Sequence, residues 1–343
     1  MFYESTIFKN EDALSFEYLP ELLPHREAQI KILAQNIEPA ANNRRPQNTF
    51  IFGAPGIGKT AVTKFVFREF EENFPNVKTV YINCWDYNTS VAVLSKICEE
   101  LGIIVQRRGW AKDEILSRLV EMLAKMKKGI IIALDEVDQL IFKDSNALYD
   151  LVRINQYVKI PVGIVFVSND PLVFSKIEPR IRSSLNIDDI EFKPYTLSEM
   201  KDILTERTKL ALRGFEDGVI ILAANHAVKK GGDVRAGLEA LMKASKIADD
   251  KNESKLKVEH VKKVLQEVTK VKPRILEERI SENEKVILDV LKEGGFEFRN
   301  LYEKYSKSVE NPGTEKMLRN YLKHLENVKL VKYLKTKKVF KIA

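Results

Sequence analysis

Cys84 and Cys98 are the only cysteines in 343 residues, and they have neither the paired spacing of a zinc site nor the density of a disulfide framework. Both are expected to be buried, reduced thiols. The four histidines, His25, His226, His260 and His324, are scattered without ligand spacing, so neither zinc nor haem is suggested. No apolar run approaches the roughly 20 residues of a membrane span. The opening MFYESTIFKNEDALSF has no basic segment followed by an apolar one and no small-residue cleavage site. A soluble cytoplasmic protein without a membrane partner is the expectation. Internal repeats and low-complexity tracts are also missing, which sets repeat architectures aside.

What is present is ordinary globular material, 44% hydrophobic and 31% charged, long enough at roughly 150 residues per domain for two or three domains. Charge is the uneven quantity. Lys and Arg number 56 against 49 Asp and Glu, a net of +7. From Lys270 to the end there are 18 basic and 11 acidic residues, so the last fifth holds the whole excess and the first 269 residues balance. Clustered cations gain free energy by displacing counterions from phosphates, which points to a polyanionic partner for that segment.

Residues 1–48 read as a covering arm: a polar lead, an amphipathic stretch from Arg26 to Ile37, and the turn-rich ANNRRPQN. From Thr49 to about Phe192, short β-branched runs (TFIF, VKTVYINC, GIIIALDEV, PVGIVFVSN, IDDIEF) alternate with segments of helical period. That alternation predicts an α/β domain with a five-stranded parallel sheet covered by helices on both faces. After Pro194 only helical patterns remain, with starts near Leu197, Asp217, Asp233 and Val258, and they predict an all-α second domain. The charged stretch around Pro273 reads as a linker. Beyond it come helices near Glu282 to Leu291, Phe298 to Ser308 and Thr314 to Asn327, then LVKYL, a polar turn KTKK and VFKIA, the outline of a winged helix. The expected domains are therefore 1–192, 193–270 and 271–343.

Gly53-Ala54-Pro55-Gly56-Ile57-Gly58-Lys59-Thr60 follows the strand TFIF and opens a helix carrying Val62, Phe65, Val66 and Phe70 at helical spacing. This is a phosphate-binding P-loop in its required context. Backbone N–H groups from Gly56, Ile57, Gly58, Lys59, Thr60, Ala61 and Val62 would surround the β-phosphate. Lys59 would reach the β and γ phosphates, and the Thr60 hydroxyl would ligate Mg²⁺. The apolar strand IIIAL then ends in Asp135 and Glu136, at the strand end where open α/β sheets place ligands. Asp135 suits a Mg²⁺ contact and Glu136 the orientation or deprotonation of an attacking water. Asn169, at the end of PVGIVFV, is placed to polarise the same water. Arg180 and Arg182 in EPRIRSSL are both candidates for a charge reaching a phosphate in cis or from another subunit. Arg235, at the start of a helix in GGDVRAG, is a candidate directed at the γ-phosphate.

In this order the motifs resemble those of the AAA+ replication initiators, above all the archaeal proteins akin to both the origin recognition complex large subunit and the cell-division-control helicase loader. LPHRE (Leu23 to Glu27), NTFIFGAPGIGKTAVTKFVFREFEE, LDEVDQL, VSND, PRIRSSL, FKPYTLSEMKDILTER and GGDVRAGLEALMKASKIA carry the resemblance. It implies ATP or ADP with Mg²⁺ as cofactors, Lys59 and Thr60 as Walker A, Asp135 and Glu136 as Walker B, Asn169 as sensor 1 and Arg235 as sensor 2. Arg180 becomes the choice for arginine finger. Tyr195 and Arg207 would hold nucleotide, while Leu23, His25 and Arg26 would line the adenine pocket. A helical insertion touching DNA would span about 86–110. The implied fold is an AAA+ domain, a helical lid and a winged helix. The implied partners are double-stranded origin DNA, the replicative helicase and other initiator paralogues, in the cytoplasm at the nucleoid. The sequence departs from the family pattern at Ala54-Pro55 and in GGDVRAG where GDARRA is commoner, without removing a chemical group.

In a winged helix the third helix enters the major groove. Lys316, Arg319, Asn320 and Lys323 share one face by their i, i+3, i+4, i+7 spacing, while Met317, Leu318, Tyr321, Leu322 and Leu325 would pack the other. Lys335, Lys337 and Lys338 would sit at the wing tip, suited to phosphate or minor-groove contact. Two competing functions are a signalling or defence ATPase with the winged helix as a regulatory brace, and a clamp-loader subunit. The basic recognition face speaks against the first, and the terminal hairpin against the second.

Overall fold

The computed structural model describes residues 5–103, 111–266, 281–309, 312–327, 330–334 and 339–342. They form two compact units, 1–262 and 263–343.

The first unit is built on five parallel strands, β1 (Asn48–Gly53), β2 (Val77–Asn83), β3 (Gly129–Asp135), β4 (Val162–Ser168) and β5 (Ile187–Phe192), in the order β2-β3-β4-β1-β5. Every residue of β3 and β4 is buried, which is why both read as unbroken apolar runs rather than alternating ones. The edge strand β5 keeps the exposed acids Asp188 and Asp189 in its sequence, a charge pattern that discourages pairing with another chain. Around the sheet lie α1 (Glu27–Ile37), α2 (Lys59–Asn73), α3 (Ser90–Glu100), α4 (Lys112–Lys125), α5 (Val137–Asp144), α6 (Asn146–Tyr157) and α7 (Pro179–Leu185). One core cluster joins Phe50, Ile82, Ile132, Leu134, Ile164 and Phe166 to Leu94, Leu119 and Leu151 of the covering helices. The register sets Asn83 beside Asp135 and Phe52 beside Ser168, so the ends of β1, β2, β3 and β4 finish on one edge. Both cysteines are buried and free, as expected.

The helical part of this unit contains α8 (Leu197–Ala211), α9 (Asp217–Lys229), α10 (Val234–Asp250) and the first residues of α11 (258–266), which runs past its boundary at 262. Thr196 and Glu199 close a reciprocal capping box at the start of α8. Small residues let these helices approach closely: a Cβ on Gly237 would come within 2.8 Å of Leu204 Cδ1. Sequence reading groups the arm with the sheet domain, yet residues 5–15 lie on the helical part. Lys9 N donates to Ala211 O at 2.7 Å, Arg213 N to Ile7 O at 2.8 Å, and Ser5 Oγ to Asp249 Oδ1 at 2.8 Å. The cause is a β-bridge, Phe8 with Leu212, which the arm's polar sequence does not announce.

From residue 281 on, the described residues of the second unit form three helices and a two-stranded antiparallel ribbon: α12 (Glu282–Lys292), α13 (Phe298–Ser308), α14 (Glu315–Asn327), β6 (Val331–Leu334) and β7 (Val339–Ile342). Its core is small, formed by Ile287, Val290, Leu291, Leu301, Tyr305, Leu318, Leu322, Leu325 and Val331. The element order matches the sequence expectation. The expected linker around Pro273 lies outside the described residues. No helix among the described residues is long and apolar enough to cross a membrane.

Candidate active site

β1 delivers the chain to Gly53, and the loop turns through Gly56 (φ 72°) and Gly58 (φ 94°) before α2 begins at Lys59. Both glycines occupy the left-handed region that side chains disfavour. Gly56 is also fixed by contact, because a Cβ there would lie 1.8 Å from Asp233 Oδ1. The partner is the start of α10: Val234 N donates to Gly56 O at 3.0 Å, and Asp233 Oδ1 accepts from Arg235 N at 2.9 Å. The helical part is thereby tied to the loop. The N-terminus of α2 supplies aligned N–H groups and the positive end of a helix dipole, a natural seat for a phosphate.

Lys59 is 6% exposed, and its Nζ donates to Gly53 O (2.9 Å), Ala54 O (2.8 Å) and Asn169 Oδ1 (2.7 Å). Burial pulls its pKa down to about 8, against the opposing attraction of Glu136 and Asp135; the charge of Arg235 adds to the lowering. Asn169 reaches both ways, since its Nδ2 donates to Glu136 Oε2 at 2.8 Å. Glu136 itself sits at φ 52°, and burial followed by the neighbouring Asp135 raises its pKa above the ordinary carboxylate value. Asp135 is buried and accepts three hydrogen bonds: Thr60 Oγ1 and Tyr81 OH on Oδ2, each at 2.6 Å, and Glu136 N on Oδ1 at 2.9 Å. Of the residues the sequence singles out, Lys59, Thr60, Asp135, Glu136 and Asn169 form one continuous network.

Three contributors were not legible in the sequence. Tyr81 lies in mid-strand on β2, where an aromatic is ordinary and nothing marks its hydroxyl; burial, then Asp135, raises its pKa and keeps it a donor. Asp138 accepts from Ser168 Oγ at 2.9 Å and adds a further negative charge near Lys59. Asp233 looks in the sequence like a helix start alone, and nothing there marks its contact on Gly56.

Arg26 is 5% exposed. Its Nε and Nη2 donate to Ile57 O (3.2 and 3.0 Å), Nη2 also donates to Lys193 O (2.9 Å), and the guanidinium lies 3.8 Å from the Tyr195 ring centroid. Tyr195 is buried, with its hydroxyl 3.0 Å from where a Cβ on Gly58 would stand. Thus Arg26 and Tyr195 buttress the loop directly. His25 (φ 64°) places Nε2 3.1 Å from Asp202 Oδ2, and Leu23 is half-buried.

Arg207 departs from the sequence expectation. Its guanidinium is committed to the arm, with Nε donating to Ala13 O, Nη2 to Ser15 O (2.6 Å), and the Tyr18 ring 5.0 Å away. It holds the arm on the helical part instead of facing the loop. Arg180 and Arg182 are exposed on α7, outside the network, with Arg180 6.0 Å from the Tyr149 ring. Arg235 is exposed on the first turn of α10.

In the second unit Lys316, Arg319, Asn320 and Lys323 are all exposed along α14, and Leu318, Leu322 and Leu325 are buried. Met317 is 44% exposed, contrary to the expected packing, because 318, 322 and 325 set the helix phase. Arg319 lies 4.6 Å over Phe298. Lys335, Lys337 and Lys338 fall outside the described residues, as do 104–110 of the expected insertion, whose remainder contains α3. His260 lies beside two carboxylates, with Nε2 3.6 Å from Glu253 Oε1 and 3.8 Å from Glu259 Oε1. Its Nδ1 accepts a hydrogen bond from Lys257 N at 3.3 Å, which turns Nε2 toward the two carboxylates.

Comparison with known proteins places this geometry. Residues 42–172 match the AAA domain family and residues 201–266 the Cdc6 AAA+ ATPase-type lid domain. An ORC1-type DNA replication protein of Sulfurisphaera tokodaii is 34% identical over 334 residues, covering 94% of this chain and 84% of the relative. The chain belongs to the ORC1-type DNA replication protein family. Another member, from Archaeoglobus fulgidus, is 39% identical over 271 residues, 77% of this chain and 66% of its own length. The chain spans slightly less than two thirds of that member and of its Pyrococcus relatives, at 64% and 65%. The Aeropyrum pernix ORC1 protein, solved in complex with DNA, superposes with a TM-score of 0.77 at 29% identity, covering 99% of this chain and 94% of that one. Pyrobaculum aerophilum Cdc6p shares the fold, with a TM-score of 0.69 over 98% and 94% of the two chains at 24% identity. Within the ORC1-type scaffold, the match to the Cdc6-type lid covers α8 to α11, which makes the α10 start that touches Gly56 a lid contact on the loop.

Proposed function

We propose that this ORC1-type chain is an AAA+ ATPase of replication initiation. It binds ATP or ADP with Mg²⁺, uses slow hydrolysis as a switch, grips double-stranded origin DNA, and helps recruit or load the replicative helicase, alone or with initiator paralogues. The observation that carries this reading is the convergence of Lys59 and Thr60, Asp135 and Glu136, and Asn169 from three chain segments onto one sheet edge, in a chain of this family.

The chemistry follows from the network. The Lys59 ammonium would exchange loop carbonyls and Asn169 for β- and γ-phosphate oxygens, and the N–H groups of 56–62 would take the remaining charge. The donor set of the Thr60 hydroxyl and Asp135 carboxylate, 2.6 Å apart, consists of hard oxygens and fits Mg²⁺. Bound there, Mg²⁺ would neutralise charge developing between the phosphates. Glu136 would accept a proton from the attacking water, with Asn169 orienting both partners. Arg235 on the lid would face the γ-phosphate, and Leu23, His25, Arg26 and Tyr195 would border the base. Arg180, or Arg182 beside it, would serve a neighbouring subunit from exposed α7.

We read the second unit as a winged helix, with α14 as its recognition helix and Lys335, Lys337 and Lys338 as candidates for phosphate contact. That the similar Aeropyrum pernix ORC1 protein was solved in complex with DNA supports DNA as the partner. The domains would be 1–192, 193–270 and 271–343, with the first residues strapped to the lid, in the cytoplasm at the nucleoid.

The test pairs ATP turnover with duplex binding in the full chain. Glu136→Gln is expected to slow turnover by roughly 10²- to 10⁴-fold and Lys59→Ala to abolish it, each leaving most of the affinity for origin-region duplex. Turnover that persists in Glu136→Gln removes that residue's role. Equal affinity for origin and random duplex removes the origin reading.

A further inference from the structure

Asp135 accepts two hydroxyl donors on a single oxygen. Thr60 Oγ1 and Tyr81 OH each lie 2.6 Å from Oδ2, while Oδ1 takes the Glu136 N–H at 2.9 Å. Tyr81 arrives from β2, two residues before Asn83, which pairs in register with Asp135; alternation along the strand puts both on the same face. That face is the less buried one of β2, and α2 supplies its neighbours. Lys64, four residues after Thr60 and therefore on the same side of α2, holds Nζ 4.6 Å from the Tyr81 ring centroid.

The two hydroxyls differ in what they can do next. Thr60 donates its proton to Asp135 and keeps oxygen lone pairs for a cation. Tyr81 offers its proton to the same oxygen from a half-buried ring on β2, beside the Thr60 hydroxyl. A terminal carboxylate torsion is soft and broadly distributed, so an aspartate does not by itself present fixed lone pairs to an ion. Three donors from three elements, α2, β2 and the turn after β3, remove that freedom. Partners that hydrogen-bond to a metal-ligating group in this way set its orientation and its basicity.

We propose that Tyr81 is a positioning residue for the Mg²⁺ site: its phenol fixes the Asp135 carboxylate so that carboxylate and Thr60 hydroxyl face one cation. The inference rests on the ATP–Mg²⁺ reading of the site and adds a residue to it. Tyr81 touches neither nucleotide nor reacting atoms and acts only through Asp135. Its signature is therefore a change in Mg²⁺ dependence without a change in Mg²⁺-free nucleotide affinity.

The experiment is an equilibrium titration of a fluorescent ADP analogue into the full chain, at a series of Mg²⁺ concentrations and in EDTA, for the unsubstituted protein and Tyr81→Phe. Phenylalanine keeps the ring and its packing and removes the hydroxyl alone. Half-maximal enhancement by Mg²⁺ is expected to require roughly tenfold more Mg²⁺ in Tyr81→Phe, with the EDTA affinity unchanged. In an Asp135→Asn background, Tyr81→Phe should have no further effect, as a double-mutant cycle on a single coupled pair requires. Identical Mg²⁺ curves overturn the inference. An equal loss with and without Mg²⁺ also overturns it, because that is the mark of packing. If Mg²⁺ fails to enhance binding in the unsubstituted chain, the ATP–Mg²⁺ reading falls and takes this inference with it.

Discussion

The guanidinium of Arg26 lies 3.8 Å over the ring of Tyr195 and at the same time donates to the backbone of Ile57, inside the phosphate loop. Its third partner, Lys193 O, follows the end of β5. One buried cation therefore joins the arm, the loop and the hinge into the lid. Arg26→Ala would leave the Ile57 and Lys193 carbonyls without these donors, and is expected to cost about 2–4 kcal/mol of stability at roughly 1–3 kcal/mol per unsatisfied buried group. Arg26→Lys keeps the charge but not the planar fork or the stacking, and should recover only part of the loss. Urea unfolding of the three proteins, followed by tryptophan fluorescence, checks the order.

Lys59 gives a pH dependence whose sign can be worked out. Burial holds its folded pKa at about 8, below the model-peptide value of 10.5. Between those values the unfolded chain binds more protons than the folded one, so this group's contribution to stability rises with pH across that window. Phosphate favours the charged ammonium and should raise the pKa again. Nucleotide affinity is then expected to fall as pH rises above about 8, with net proton uptake on binding. Calorimetry in buffers of different ionisation enthalpy measures that uptake. Lys59→Arg, charged throughout, should abolish it.

Much of the first unit was legible because its elements are extreme. β3 and β4 are covered on both faces and so read as unbroken apolar runs, and the loop needs glycine where φ is positive. Lys59, Thr60, Asp135, Glu136 and Asn169 were found because strand ends fix their placement. Arg207 and Tyr81 were not, for one physical reason. The direction of a side chain in the middle of an element depends on partners brought up by the fold, Ala13 at 194 residues' separation for Arg207 and Asp135 at 54 for Tyr81. Met317 failed differently, since a pattern of apolar residues gives the helix face only to within about one position.

Arg207 separates the resemblance from the structure in a measurable way. As a nucleotide ligand it would lower ADP affinity when removed; as an anchor for the arm it would not. Its burial lowers even this guanidinium's pKa, to about 10, and two of its donors are spent on Ala13 and Ser15 carbonyls. Arg207→Ala is expected to destabilise the chain by about 2–3 kcal/mol. It should also speed limited proteolysis within 1–22 and leave ADP affinity within about threefold, a difference under 1 kcal/mol. A tenfold loss of affinity with an intact arm would restore the ligand role.

The basic face of α14 makes the last prediction quantitative. Lys316, Arg319, Asn320 and Lys323 are exposed together, and among the described residues only Arg319 of the four has an acidic neighbour in ion-pair range, Glu315 at 4.0 Å, too long and too exposed to hold it. A phosphate contact and a base contact leave different traces. Replacing a lysine that meets phosphate weakens binding to every duplex alike and reduces the salt slope by about 1. Replacing a side chain that reads a base edge costs about 1–3 kcal/mol on the preferred site and relaxes the preference. Lys316 and Lys323 as point charges are expected in the first class, and Arg319 and Asn320, with forked or paired donors, in the second. Salt titrations of Lys323→Ala and Arg319→Ala against origin and random duplex decide between them. A loss of slope without loss of preference in Arg319→Ala would reduce α14 to an electrostatic grip, and origin choice would then have to come from the first unit.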